Sequence, residues 1–161
     1  MRALLFSPGM LACSAFRLAQ LWEKRHPVLV SCIRRLAFAL TGAEINVSSK
    51  IGPRLRLAHT MGTVIGAGVV VGAEGTIYQG VTLGAARMGA GLAETESYPV
   101  IGDRVTIYAG AMVLGNLRVG DDAVIGANAV VLRDVPAGHR AVGVPARTEP
   151  RRDFVTTENG T

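Results

Sequence analysis

The sequence contains few aromatic residues, three histidines and only two cysteines among its 161 residues. Cys13 and Cys32 lack the spacing of a metal site, so we expect both thiols to be reduced and buried. No apolar run is long enough to cross a bilayer, which argues against a transmembrane helix. Pro8 and Gly9 interrupt the apolar N-terminal stretch, so we do not interpret it as a secretion signal. These absences together predict a cytoplasmic protein.

The sequence also lacks the features of a nucleic-acid-binding protein. Its net charge is +5 and its isoelectric point is near 9.9, yet basic and aromatic residues do not interleave, and no known nucleic-acid motif is present. We therefore expect the positive charge to meet the phosphate groups of a small molecule rather than nucleic acid.

The central stretch of the chain carries an aliphatic residue at every sixth position. The register breaks twice, by two extra residues after Leu57 and by a longer run after Leu83. Apolar recurrence at three and four, which an amphipathic helix needs, is missing here. The pattern is therefore a hexapeptide repeat. Its thirteen aliphatic positions are Ile45, Ile51, Leu57, Ile65, Val71, Ile77, Leu83, Ile101, Ile107, Val113, Val119, Ile125 and Val131.

A hexapeptide repeat predicts an all-β solenoid, a parallel β-helix in which the chain coils through three short, flat faces. Each hexapeptide forms one face, its aliphatic residue points inward, and small residues turn the corners. Successive coils pair at the ordinary strand spacing of about 4.8 Å, and the core is continuous because each coil covers the next. A narrow prism has little room for rings, in agreement with an aromatic content of 5%. An ordinary β-sandwich is the alternative, which the regular register disfavours.

The N-terminal segment, residues 1–41, is predicted to form two helices that cap the open end of the solenoid. The second helix begins at Pro27 and ends at Thr41-Gly42. A cap is expected because the first coil otherwise exposes unpaired strand edges. Contact with a membrane surface is the alternative, which we do not favour. The apolar stripes of the two helices are Leu11, Ala15, Leu18 and Trp22, then Leu29, Ile33, Leu36 and Leu40.

Residues 42–147 form the predicted β-helix domain, with a long loop at 85–98 and a flexible tail at 148–161. Loops of this length in compact folds are usually functional, so we expect this one to fold over a neighbouring groove.

One corner of the predicted coil is a candidate catalytic site. The two extra residues before Ile65 make this corner bulge outward, and His59 lies in the bulge. A regular coil of eighteen residues stacks residue 62 over Glu44, so we predict that Glu44 and His59 meet. A carboxylate beside an imidazole can orient one ring nitrogen while the other nitrogen accepts a proton.

These residues together resemble the hexapeptide-repeat acyltransferases, and within them serine acetyltransferase and its relatives in polysaccharide and specialised-metabolite pathways. The resemblance covers nearly the whole chain. It implies a left-handed coil and the transfer of an acetyl group from acetyl-CoA to a hydroxyl, in a homotrimer whose active sites lie between neighbouring prisms. Besides the repeat, its motifs are Glu44-Ile45-Asn46, Ala58-His59-x-x-Gly62, Val81-Thr82-Leu83-Gly84 and Gly143-Val144-Pro145-Ala146.

The resemblance also implies roles for individual residues, and it implies no metal. His59 would be the general base, and Glu44 would hold its imidazole in the useful tautomer. Backbone amides near Gly84 would bind the thioester oxyanion. The pantetheine arm would run past Ala109, Gly110 and Ala127, and Arg147, Arg151 or Arg152 would meet the CoA phosphates.

The predicted acceptor site lacks the charges that serine acetyltransferases use to hold the amino acid. The corresponding residues here are Ala58, Ser97 and Tyr98. A zwitterion without charged partners would be desolvated and unpaired, at a cost of several kcal/mol. We therefore expect a neutral hydroxyl compound as acceptor, such as a sugar or a specialised metabolite, that stacks on or hydrogen-bonds to Tyr98. True serine acetylation is the alternative.

Two further classes of protein compete with a transferase. A γ-type carbonic anhydrase shares the prism but needs three histidine ligands for zinc, and only His59 lies within the repeat. A non-catalytic β-helix scaffold would bind no CoA.

Overall fold

The computed structural model describes residues 7–86 and 97–151, and the described chain begins with two helices. α1 spans Pro8–Trp22 and α2 spans Pro27–Thr41. α1 begins at a proline because Ser7 caps it, its hydroxyl accepting a hydrogen bond of 3.3 Å from the Met10 amide. α2 ends at Gly42, whose φ of 70° lies in the left-handed region that favours glycine. The predicted bounds of α2 are thus confirmed.

The rest of the described chain forms short strands in three sheets. Sheet A contains β1 (Glu44–Ile45), β4 (Val64–Ile65), β7 (Thr82–Gly84), β10 (Met112–Leu114) and β13 (Val130–Val131). Sheet B contains β2 (Lys50–Ile51), β5 (Val70–Val71), β8 (Val100–Ile101) and β11 (Arg118–Val119). Sheet C contains β3 (Arg56–Leu57), β6 (Thr76–Ile77), β9 (Thr106–Ile107), β12 (Val124–Ile125), β14 (His139–Val142) and β15 (Arg147–Pro150).

The chain visits the three sheets in turn, so that each strand pairs in parallel with the strand one coil further on. Glu44 pairs with Val64, and Thr76 pairs with Thr106. Three corners result, which we name C–A, A–B and B–C after the sheets that they join. All thirteen repeat positions are buried, with exposures of 8% or less. The hexapeptide prediction of a three-sided parallel coil with an aliphatic interior is confirmed.

α1 closes the open end of the first coil. Alternate residues of this coil donate their amides to the next coil, as Glu44 does to the Thr63 carbonyl at 2.8 Å, and the Leu57 carbonyl faces Gly9 of α1. Arg17 donates to the Gly52 carbonyl at 2.7 Å. Gln20 donates to the carbonyls of Val47 and Ser49 at 3.1 Å each. α1 therefore satisfies carbonyls that would otherwise be unpaired at this edge, as the capping prediction requires.

The predicted apolar stripes of the two helices are wrong. Leu18 is 46% exposed and Leu36 is 61% exposed, whereas α1 buries Gly9, Ala12, Phe16 and Ala19. The reason is that α1 lies directly on backbone, where small residues permit close approach. A Cβ atom on Gly9 would clash with the Leu57 carbonyl oxygen. Hydrophobic spacing alone does not reveal that kind of contact surface.

The C-terminal end of the coil extends further than the sequence predicts. β14 pairs with β12 in parallel and with β15 in antiparallel orientation. An ion pair of 2.7 Å between Arg140 and Glu149 joins the last two strands. Residues 148–150 are therefore strand rather than flexible tail. Residues 152–161, like residues 87–96 of the predicted loop, lie outside the described residues.

Both cysteines are free, but they differ in exposure. Cys13 is partly buried against the first coil, and this burial raises the pKa of its thiol. Cys32 is exposed on α2, so the expectation that it is buried is wrong. Within residues 7–86 and 97–151, no helix combines the length and apolarity that a membrane span requires.

Close stacking of the coils predicts a strong response to a single added methyl group. A Cβ on Gly52 would lie 2.6 Å from the Gly72 carbonyl carbon and 2.9 Å from the Ala73 nitrogen, both backbone atoms. We expect Gly52→Ala to lower the free energy of unfolding by about 2 kcal/mol, or Tm by about 6 °C, in thermal unfolding followed by circular dichroism.

Gly84→Ala is the matched control for this change. A Cβ on Gly84 would meet nothing nearer than 3.8 Å, at a Leu114 methyl group. Its Tm should stay close to that of the unmodified chain. Equal Tm values for the two variants would contradict the stacking at Gly52.

Candidate active site

His59 lies in an outward bulge at the C–A corner. The Gly62 amide donates to the Gly42 carbonyl at 2.9 Å, and Glu44 pairs with Val64, so 64 − 44 = 20 residues separate the first two rungs of sheet A. The sequence argument assumed eighteen and placed residue 62 over Glu44, which is wrong. The two surplus residues cannot enter a strand without breaking its register. They are therefore accommodated at the corner.

The bulge is held against the end of α2. The Thr60 side chain is buried, and its hydroxyl donates a hydrogen bond to the Thr41 carbonyl, in the last turn of α2. Beside it, Met61 packs on Gly42. These contacts fix the backbone that follows the histidine, while the imidazole itself is exposed.

The imidazole of His59 belongs to a column of rings along the C–A corner. Its centroid lies 6.4 Å from that of Tyr78, with the planes tilted by 54°. Tyr78 stacks in turn on Tyr108, at 5.1 Å and 23°. Among the described residues, no side chain or backbone group hydrogen-bonds to His59 or forms an ion pair with it. The interaction that the structure shows for this imidazole is therefore the ring contact with Tyr78.

Glu44 and His59 share the C–A corner but do not bond to each other, so the predicted contact is wrong for this structure. The carboxylate is exposed on sheet A, and its ion-pair partner is Arg34 of α2, at 3.9 Å. This pair is long and solvent-exposed, so it contributes little to stability. The error follows from the miscounted coil, which set Glu44 beside the bulge.

Most of the predicted cofactor residues lie on the same corner as His59. Ala58 donates its amide to the Ile77 carbonyl at 2.9 Å, so it lies one coil below Tyr78 and two coils below Tyr108. Arg147 pairs with Val142 at the end of sheet C beyond this corner. Sheet C runs from β3 through β6, β9, β12 and β14 to β15. At about 4.8 Å per strand, Arg147 on β15 lies about 24 Å from the level of His59. The small residues between them are Ala109, Gly110 and Ala127.

The remaining predicted site residues lie at the A–B corner. Gly84 ends β7, and Ser97 and Tyr98 precede β8. The Tyr98 ring covers Gly66, where a Cβ atom would lie 2.6 Å from it. A face of six residues, about 20 Å long, separates the two corners. Within one chain the structure therefore does not bring Gly84, Ser97 or Tyr98 to His59.

The sequence argument missed two features near the site. The first is the stacked pair Tyr78 and Tyr108, which directly follow the repeat aliphatics Ile77 and Ile107. Because both tyrosines occupy the same position of the repeat, the sequence would have predicted that their rings stack. The second feature is a cavity of about 470 Å³ between the helices and β1. The repeat pattern does not predict this cavity, because it forms only where the helices pack against the coil. Its polar lining includes Arg34, Arg35 and Glu44. Among the described residues, no cluster of three side chains has the composition of a metal site.

The three-sided parallel coil defines a protein built from hexapeptide repeats. The family described as bacterial transferase hexapeptide (six repeats) matches residues 98–133. The serine acetyltransferase of Helicobacter pylori strain J99 is 46% identical over 146 residues, which cover 90% of this chain and 83% of that protein. The chain therefore belongs to the serine acetyltransferase family, and the predicted resemblance is confirmed.

Solved structures agree with this assignment. The serine acetyltransferase of Vibrio cholerae is similar with a TM-score of 0.84 and 35% identity, over 93% of this chain and 57% of that one. A serine acetyltransferase in complex with CoA is similar with a TM-score of 0.80 and 35% identity, over 91% of this chain and 59% of that one. The chain thus spans less than two thirds of either solved chain. These similarities confirm the predicted enzyme class, an acyltransferase that uses acetyl-CoA.

The prediction of an acceptor other than serine is wrong, because the similar proteins are named serine acetyltransferases. The argument considered only the side chains of Ala58, Ser97 and Tyr98. Backbone amides and other side chains can also pair a carboxylate or an ammonium group.

Proposed function

We propose that this protein is a serine O-acetyltransferase, which transfers the acetyl group of acetyl-CoA to the hydroxyl of L-serine. The observation that carries the proposal is the C–A corner itself. An exposed imidazole lies at one end of it and a basic side chain at the other, with small residues between them along which a long thioester can lie against backbone. The 46% identity to a named serine acetyltransferase supports serine as the acceptor.

His59 is the proposed general base. Imidazole exchanges protons near neutral pH, and no group in residues 7–86 or 97–151 hydrogen-bonds to the ring nitrogens of His59. It takes the hydroxyl proton as the serine oxygen attacks the thioester carbonyl carbon. When the carbon–sulfur bond breaks, the same proton passes to the departing CoA thiolate, so the products are O-acetylserine and CoA. Backbone amides near Gly84 are proposed to donate hydrogen bonds to the oxyanion that forms from the thioester carbonyl. Arg147 is proposed to bind the CoA phosphates.

We further propose a homotrimer in which each active site lies between two left-handed coils. The division of the site residues between two corners supports this arrangement, since a ring of identical prisms sets the C–A corner of one copy against the A–B corner of the next. Ser97 and Tyr98 of one chain would then face His59 of its neighbour. We propose a cytoplasmic location, where Cys13 and Cys32 would remain reduced.

The activity and its base can be tested together. We expect the purified protein to release thiol from acetyl-CoA when L-serine is added, and not when L-alanine, which lacks the hydroxyl, is added instead. His59→Ala should lower kcat by about 1000-fold, since proton transfer by a positioned base contributes on that order.

His139→Ala serves as the matched control, because this histidine contacts the Ala137 carbonyl at 2.9 Å, beside the B–C corner. It should retain normal turnover. Substantial activity of the His59 variant would exclude His59 as the base, and a wild-type protein inert toward serine would exclude the proposed reaction.

The role of Glu44 as an orienting partner remains a proposal, because catalytic hydrogen bonds often tighten only when substrates bind. Glu44→Gln should lower kcat about tenfold, the loss expected for one hydrogen bond of about 1.4 kcal/mol. Arg34→Met removes the ion pair that the structure contains while leaving the carboxylate. It should leave kcat unchanged. Equal losses in the two variants would assign Glu44 a structural role with Arg34 instead.

The shared active site predicts complementation between inactive chains. His59→Ala and Tyr98→Ala should each lose activity as pure proteins. Subunits mixed after reversible dissociation should regain about a quarter of wild-type activity, because one quarter of the interfaces then combine an intact His59 with an intact Tyr98. Kinetic assay of the mixture, with each variant alone as control, measures this. A mixture no more active than its components would contradict a site between subunits.

A further inference from the structure

A general base must be held in one orientation, usually by a hydrogen bond to one of its ring nitrogens. His59 has no such bond to any described residue. Its imidazole is exposed, and within the described ranges neither a carboxylate nor a carbonyl hydrogen-bonds to it. Only the backbone beside it is fixed, by the Thr60 hydroxyl. An unrestrained ring on a corner would sample several rotamers, and misplacement by about 1 Å can cost on the order of 100-fold in rate. Another group must therefore restrict the imidazole.

The ring of Tyr78 is placed to do so. It contacts His59 in a tilted arrangement at 6.4 Å, within the range of about 4.5–7 Å in which aromatic rings attract. Tyr78 itself is restrained on its other side by the stacked ring of Tyr108, at 5.1 Å. Their amides donate to the carbonyls of Ile107 and Ile125 at 3.0 and 2.9 Å, so each ring is anchored to its own rung.

We propose that Tyr78, backed by Tyr108, is a positioning residue that holds the His59 imidazole toward the groove where the acceptor binds. The inference rests on the proposed function of His59 as the base. The ring rather than the hydroxyl of Tyr78 does the positioning, because that hydroxyl hydrogen-bonds to no described residue. This stacking restrains the ring in the structure as it stands, in which Glu44 pairs with Arg34 instead of His59.

Kinetics of three variants test the proposal. Tyr78→Phe keeps the ring and should retain wild-type kcat. Tyr78→Leu removes it and should lower kcat by about 10–100-fold while KM for serine stays within about twofold. Tyr108→Leu, which removes only the support, should give a smaller loss of kcat in the same direction. A raised KM for acetyl-CoA with normal kcat would overturn the proposal, since Tyr78 would then be a cofactor contact.

Nuclear magnetic resonance of the histidine rings supplies a readout that needs no turnover. The chain has three histidines, and the His59 signal is identified by its loss in His59→Ala. Tyr78→Leu should move the His59 signal by removing the ring current, and Tyr78→Phe should leave it in place. The His26 ring, which contacts Trp22 at 5.2 Å, should not move in either variant and serves as the internal control.

The two measurements separate the failure of this inference from failure of the proposed function. An unchanged His59 signal in Tyr78→Leu would overturn the contact, whatever the enzyme does. A moved signal with unchanged kcat would show that the contact does not position the base, which also overturns the proposal. A protein without serine acetylation would refute the function while the resonance still reports the contact. Tm of each variant, compared with Tyr78→Phe, identifies any loss of folding.

Discussion

The structure depends on hydrogen bonds that every coil donates to the next coil in one common register. The Thr76 amide donates to the Val105 carbonyl at 2.9 Å, and the Thr106 amide donates to the Ala123 carbonyl at 3.0 Å. Because parallel strands keep this register from end to end, equivalent positions of the repeat stack in straight columns. The buried aliphatic core is one set of columns, and the rings of Tyr78 and Tyr108 are part of another. In a fold of this kind, the position of a residue in the repeat determines where its side chain lies in the structure.

Departures from the repeat therefore have to appear at corners, since a strand tolerates no surplus residue. The insertion around His59 and Thr60 is such a departure, and the chain anchors it through the Thr41 carbonyl at the end of α2. The result is an exposed imidazole on a backbone that is fixed on both sides. The helices thus serve the site as well as the edge of the coil, because α2 holds the bulge and α1 covers the first rung.

The same geometry divides the candidate site between two corners of one prism. His59 and the residues proposed to contact acetyl-CoA follow the C–A corner, whereas Gly84 and Tyr98 lie across a whole face at the A–B corner. A rigid prism cannot fold these corners together. In the proposed homotrimer, a second copy would supply the other corner, and the aromatic column on the C–A side would form one wall of the groove between copies.

The six-residue period by itself determined the three-sided parallel coil and its buried positions, because these follow from local spacing. The bounds of α2 were determined in the same way by Pro27 and Gly42, through proline and glycine geometry. Only the tertiary structure decided which faces of the helices are buried, since α1 packs on backbone at Gly9 and buries Ala12 rather than its leucines. It also decided the partners of the corner residues: Glu44 meets Arg34, and His59 meets Tyr78. Those contacts depend on the true length of the first coil and on how the helices dock, and both are set by hydrogen bonds between segments distant in the chain.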